Sequence, residues 1–160
     1  QILAEKFGED KNKAGIAALL HDCAKEIPFE EMQKIAIEEN ILADKSWLNC
    51  KKILHAPISA YLAKTYFKIS DKEILDAVYF HTTGRKEMTL LDKIVFIADK
   101  IETKTRESQY AEPIRQVLNS TENLDKAIKK SIELTIKSLV DRELEINFQT
   151  VDFYNYLLKK

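Results

Sequence analysis

Helix breakers are scarce in this chain, with only three Gly and three Pro in 160 residues. Scarcer still is the apolar–polar alternation of a half-buried strand, which excludes a sheet-based architecture and leaves an all-α reading. Cys23 and Cys50 are too few for a disulfide framework, and a reducing cytoplasm is the expected setting. No apolar stretch approaches the ~20 residues that cross a bilayer. The N-terminus has no basic region followed by an apolar block, so neither a membrane span nor a signal peptide is expected. Charge of one sign is missing too. A net charge of −1 excludes a broad nucleic-acid footprint, and any anionic substrate must be met by local Lys and Arg. The chain does not start with Met and opens in mid-pattern at Gln1-Ile-Leu-Ala-Glu-Lys-Phe7. The start of that helix is expected upstream.

What is present suits one globular domain, 1–160, with a real core: 45% apolar and 32% charged residues. A first helix stops at Gly8, and a second is predicted from Lys11 to Lys25, with Ile16, Leu19, Leu20 and Cys23 on its core face. Phe29 to Asn40 follows, with Met32, Ile35, Ala36 and Ile37 inward. Pro57 is placed in the first turn of the next helix, whose apolar face is Ile58, Tyr61, Leu62 and Tyr66. Ser70 is expected to cap Asp71 to Phe80, and Thr89 to cap Leu90 to Ile101. A loop holding Pro113 leads to a long amphipathic helix from Asn123 to Ile146 and a short one from Asp152 to Leu158. The long helix is assigned to packing or to a homodimer surface. Trp47, Tyr61, Tyr66 and Phe67 read as core aromatics rather than base-stacking groups.

The adjacent pair His21 and Asp22 is the most informative feature. An imidazole and a carboxylate at the margin of an apolar helix are costly to bury unless something compensates them, and a metal ion is the usual partner. Ala17 and Ala18, one turn back, leave room for one. A histidine hydrogen-bonded to its neighbours would account for His21 equally well. The other two histidines, His55 and His81, also fall at helix edges or ends. His81 opens His81-Thr-Thr-Gly-Arg85, where Gly84 permits a turn and Thr82, Thr83, Gly84 and Arg85 can donate to phosphate. Asp99 sits one turn after Val95 and Phe96 in the most apolar helix. It needs a cation there, either a metal ion or a partner such as Lys100. Neutral imidazoles with carboxylates form a mixed N/O set that suits Fe, Mn, Co, Ni or Zn. Lys25, one turn after His21, can neutralise phosphate or simply be solvated near the helix end.

The order His-Asp, His, His, Asp, each on a different helix, resembles the HD-domain metal phosphohydrolases, and among them the bacterial symmetrical diadenosine tetraphosphatases. The resemblance covers nearly the whole chain. It rests on Leu20-His-Asp-Cys-Ala-Lys25, Leu54-His-Ala-Pro57, His81-Thr-Thr-Gly-Arg85, Met88-Thr-Leu-Leu-Asp-Lys-Ile94 and Ile97-Ala-Asp-Lys-Ile-Glu102. It implies an HD-type helical bundle with two divalent or mixed-valence transition metal ions, iron first and Mn, Co, Ni or Zn as alternatives. By the same resemblance His21, Asp22 and Asp99 hold one ion, and Asp22, His55 and His81 the other. A further family ligand would fall upstream of Gln1. Where the family usually continues Ile-Glu with Pro and a nearby Arg, this chain has Thr-Lys-Thr-Arg106, so Arg106 is the corresponding phosphate candidate.

The implied chemistry is hydrolysis of a phosphoanhydride. A pair of metal ions about 3.5–4 Å apart lowers the pKa of water and polarises a phosphoryl oxygen. The expected substrate is a dinucleoside polyphosphate, diadenosine tetraphosphate cleaved to two ADP, with Asp22 and Lys25 as catalytic candidates. Two alternatives stay open: another HD-type nucleotidase or phosphodiesterase, and a nucleotide-binding sensor without catalysis.

Overall fold

A computed structural model describes residues 1–102 and 107–159. Its regular structure among these residues is helical: α1 (Ile2–Phe7), α2 (Lys11–Leu20), α3 (Phe29–Glu38), α4 (Lys51–Thr65), α5 (Lys72–Tyr79), α6 (Leu90–Ile101), α7 (Ser108–Thr121), α8 (Leu124–Asp141) and α9 (Phe148–Leu157), with a 3₁₀ turn at Lys45–Asn49. The caps are local and readable. Gly8 ends α1 in the left-handed region at φ 77°, which glycine adopts without a Cβ penalty. Asp10 begins α2 by accepting from the Asn12 and Lys13 amides. Thr89 and Asp92 close a reciprocal capping box on α6. Asp71, rather than Ser70, caps α5 through the Glu73 and Ile74 amides.

Two prolines were expected to mark boundaries, and both lie inside helices. Pro57 is within α4 and Pro113 within α7. Pro57 has no N–H for the Ile53 carbonyl, so α4 runs through with one ladder bond fewer. Burial of Leu54, Ala56, Ile58, Ala60 and Ala63 by neighbouring helices holds the rest of it in place. Tertiary packing overrides the local preference for a break.

Two apolar clusters form the interior. The larger is centred on α6, where Leu91, Ile94, Val95, Phe96 and Ile97 are all buried and which packs against α1, α2, α5, α7 and α8. Each such residue contributes roughly 1.5–3 kcal/mol of burial. The smaller joins Ala24, Met32, Ala36, Leu54 and Ile58 between α3 and α4. α2 packs differently from the sequence expectation. Its buried side chains are Ala14, Ala17 and Leu20, while Ile16 and Leu19 are exposed and so is Cys23. Alanines win that face because they let α2 approach α5 and α6 closely. Trp47 is buried as expected, but Tyr66, Phe67 and Ile37 are exposed. No helix among the described residues is long and apolar enough to cross a membrane.

Candidate metal centre

The chain between Leu20 and Ala24 passes from the larger cluster to the smaller one, and His21 and Asp22 lie in that passage. α2 stops at Leu20 rather than reaching Lys25. The cause is a buried hydroxyl: Ser59 Oγ accepts the Ala24 N–H at 3.1 Å, a donor that an extended α2 would have given to Leu20. His21 therefore becomes the C-cap, followed by tight turns in which Cys23 donates to Leu20 and Lys25 to Asp22. His55 projects from α4, His81 follows the end of α5, and Asp99 comes from α6.

These side chains converge. Asp22 Oδ1 stands 3.0 Å from His55 Nε2 and 3.5 Å from His81 Nε2. Its other oxygen, Oδ2, stands 3.5 Å from His21 Nε2. His21 Nε2 in turn lies 3.9 Å from Asp99 Oδ1. The Nε2 atoms of His55 and His81 are 3.1 Å apart. His21 Nδ1 and His81 Nδ1 each sit 2.7 Å from a backbone carbonyl, of Ala18 and Val78. A carbonyl only accepts, so each Nδ1 carries the proton and each Nε2 of a neutral ring presents a lone pair inward.

Converging lone pairs and carboxylate oxygens repel unless a cation lies among them. Donor atoms bonded to one ion at about 2.0–2.1 Å stand about 3.0–3.4 Å from one another, close to the separations seen here. One donor atom each from His21, Asp22 and His81 lies within 4.8 Å of the others. The residues present fit a divalent metal. Burial by itself would raise the Asp22 carboxyl, but the hydrogen bond from Lys25 and the electrostatics of the facing His55 and His81 imidazoles outweigh it and hold the group well below the usual carboxylate range. Burial pushes the His81 imidazole down to about 4, against the opposing bond to Asp22. Both groups are thus kept in the forms that ligate metals.

Asp22, His55, His81 and Asp99 border a cleft of about 550 Å³. Lys25 reaches it with Nζ 2.7 Å from Asp22 Oδ2, and Lys100 reaches it with Nζ 2.7 Å from Asp99 Oδ2. Lys100 also lies over the Phe96 ring. Thr82 and Thr83 border the cleft. Thr82 Oγ1 is buried with no hydrogen-bond partner among the described residues, whereas Thr83 is tied to the Gly84 carbonyl and Gln149.

Gly84 and Arg85 need correction. Gly84 has φ +67°, and a Cβ there would run into the Phe153 ring, so its glycine serves packing against α9. Arg85 does not border the cleft. Its Nε and Nη2 donate to Asp92 Oδ2 at 2.9 and 2.7 Å, its Nη1 lies 3.1 Å from Asp76, and its guanidinium stacks over Phe80. Asp92 is a fully buried carboxylate, and it recruits the arginine that the sequence offered to phosphate. Arg106 lies outside the described residues.

The sequence reading named Lys100 as a partner for Asp99 but missed three other cations that border the cleft: Lys51, Lys52 and Arg142. Lys51 and Lys52 are four and three residues before His55, which is helical spacing for one face, but starting the helix at Pro57 hid it. Thr135, Ser138, Leu139 and Arg142 repeat the same pattern on α8. That signal was available as a polar stripe at offsets 0, 3 and 7.

Residues 1–104 match the family described as HD domain. The chain belongs to the HD domain family. It is 38% identical over 98% of its length, and 82% of the relative's, to the symmetrical bis(5′-nucleosyl)-tetraphosphatase of Bacillus subtilis. The protein of that name from Halalkalibacterium halodurans is 37% identical, over 98% of this chain and 81% of the relative. A crystal structure described as a predicted HD superfamily hydrolase involved in NAD metabolism, from Clostridium acetobutylicum, superposes with a TM-score of 0.90. It is 38% identical, and the match covers 98% of this chain and 82% of that one. The HD domain proper ends near the close of α6, so α7 to α9 lie beyond it.

Proposed function

We propose that this HD-domain chain hydrolyses diadenosine tetraphosphate symmetrically, between its second and third phosphates, to two ADP. One observation carries the reading: His21, Asp22, His55, His81 and Asp99 meet beside a cleft that is bordered by Lys25, Lys51, Lys52, Lys100 and Arg142. The named activity of relatives aligned over nearly the full chain supports it. In this reading two ions, iron in the first instance, share Asp22. One ion would be held by His21, Asp22 and Asp99, and the other by Asp22, His55 and His81. When bound, such ions supply Lewis acidity toward a phosphoryl oxygen and lower the pKa of water in the site.

The chain's own residues do the rest. Asp22 orients both halves of the donor set with one carboxylate. The Ala18 and Val78 carbonyls hold two imidazoles in the tautomer that keeps Nε2 unprotonated. Lys25 and Lys100 offset the growing negative charge beside the two carboxylates, and the unpartnered Thr82 hydroxyl is available to a phosphate oxygen. In the reaction the oxygen of water bonds to phosphorus and the bridging P–O bond breaks. One ADP leaves as an anion that is stable at neutral pH, so no protein acid is obligatory.

Product analysis on metal-loaded protein tests this reading. Two ADP per substrate are expected. AMP plus ATP would place the attack elsewhere, and equally rapid turnover of a small phosphomonoester would remove the substrate class.

A further inference from the structure

We infer that the cleft face of α8 seats the second nucleoside diphosphate half of the substrate, the half departing from the metal centre, with Arg142 as its principal phosphate contact. This rests on the dinucleoside tetraphosphate reading above. α8 changes role along its length. Leu124, Ala127, Ile128, Ser131 and Ile132 are buried in the core. From Thr135 onward, while Ile136 still packs on the core, a second face carries Thr135, Ser138, Leu139 and Arg142, at offsets 0, 3, 4 and 7, and all four border the cleft. That spacing puts them on one stripe.

The stripe is held in place. The Tyr110 hydroxyl lies 2.9 Å from Thr135 Oγ1 and 3.2 Å from Ser131 Oγ. Thr135 Oγ1 also donates to the Ser131 carbonyl at 2.9 Å, so its rotamer is set before a ligand arrives. Preorganisation of this kind reduces the ordering cost of binding.

Charge argues for a phosphate chain along this face. A tetraphosphate linking two nucleosides carries about four negative charges near neutral pH, spread over a span that no single metal corner can meet. Lys25 and Lys100 are committed to Asp22 and Asp99 at 2.7 Å. Lys51, Lys52 and Arg142 border the same cleft, as does the Glu145 carboxylate, and these three cations make no ion pair with a described residue. Lys51 and Lys52 lie one turn before His55, about 5.4 Å along α4, so positive charge continues outward from the centre. Arg142 ends the α8 stripe, and its planar fork matches phosphate bidentately. Ser138 offers a hydroxyl and Leu139 an apolar surface to the adjoining nucleoside. α8 lies beyond the residues matched to the HD domain, where substrate choice can be added to shared chemistry.

Steady-state kinetics of the metal-loaded protein with diadenosine tetraphosphate test the inference, with ADP as the measured product. Arg142→Ala is expected to raise KM about tenfold and to lower kcat less than threefold, the split of a contact equal in ground and transition states. Arg142→Lys, which keeps the charge but loses the planar fork, should recover only part of the loss, and Ser138→Glu, which sets a carboxylate in the stripe, should raise KM at least as much. Metal content and melting temperature, measured alongside, should match wild type. Wild type releasing two ADP while both variants keep KM within twofold would overturn the α8 assignment and leave the proposed function standing. A fall in kcat at unchanged KM would also overturn it, by placing Arg142 at the reacting phosphate. Wild type releasing no ADP would overturn the function and this inference with it.

Discussion

The histidine corner and the α8 stripe border one cleft but are built differently. In the corner, His55 is 8% exposed and His81 1%, and two rings are pinned by carbonyls at 2.7 Å. On α8, Ser138 and Leu139 are half-buried, Arg142 is exposed, and the cationic group ends in open cleft. Buried donors with fixed geometry serve chemistry, where misplacement by 1 Å is costly. An exposed cation serves capture of a flexible anion, where charge and reach matter most. The difference predicts which substitutions abolish turnover and which only weaken binding.

The largest effect should come from Asp22→Ala, since both of its oxygens face histidines. Both ions are expected to be lost and kcat to fall at least ~10³-fold; retention of two ions by metal analysis would break the assignment of Asp22 as the shared ligand. His55→Ala and His81→Ala come next. Each should lose one ion, with activity down ~10²-fold or more, because the remaining donors still hold the side that includes His21 and Asp99. Equal loss of both ions in these variants would show that the corner is one indivisible site.

Two further substitutions sharpen the comparison by testing residues that resemble phosphate contacts but are structural. Gly84→Ala must displace the Phe153 ring and hold a positive φ, at a cost of roughly 1–3 kcal/mol. A lowered denaturation midpoint is expected. Arg85→Ala leaves the buried Asp92 carboxylate with only the Thr89 amide, for a loss of about 2 kcal/mol. Its KM for diadenosine tetraphosphate should stay within twofold of wild type while its melting temperature falls. A tenfold rise in KM at unchanged stability would return Arg85 to the substrate.

The caps at Gly8 and Thr89 and the apolar run of α6 were legible because each depends on side chains within a turn of one another. The ends of α2 and α4 were not. Ser59, 35 residues away from Ala24, takes the amide that would have carried α2 onward. Pro57 reads locally as a start, yet the helices packed on α4 keep it continuous. The site residues were legible as an ordered set of motifs, although spacing along the chain says nothing of which oxygen of Asp22 faces which imidazole.

By itself, then, the sequence determined an all-α chain and the residue types of a nitrogen-and-oxygen metal centre, since both follow from local chemistry and helical periodicity. Only the tertiary structure decided what each cation does. Asp92 is buried and claims Arg85, Lys25 and Lys100 stand on the carboxylates of the centre, and Arg142 is left facing the cleft. The reason is physical. A guanidinium or ammonium pairs with whichever anion folding brings within ~4 Å of it, and that anion comes from another part of the chain.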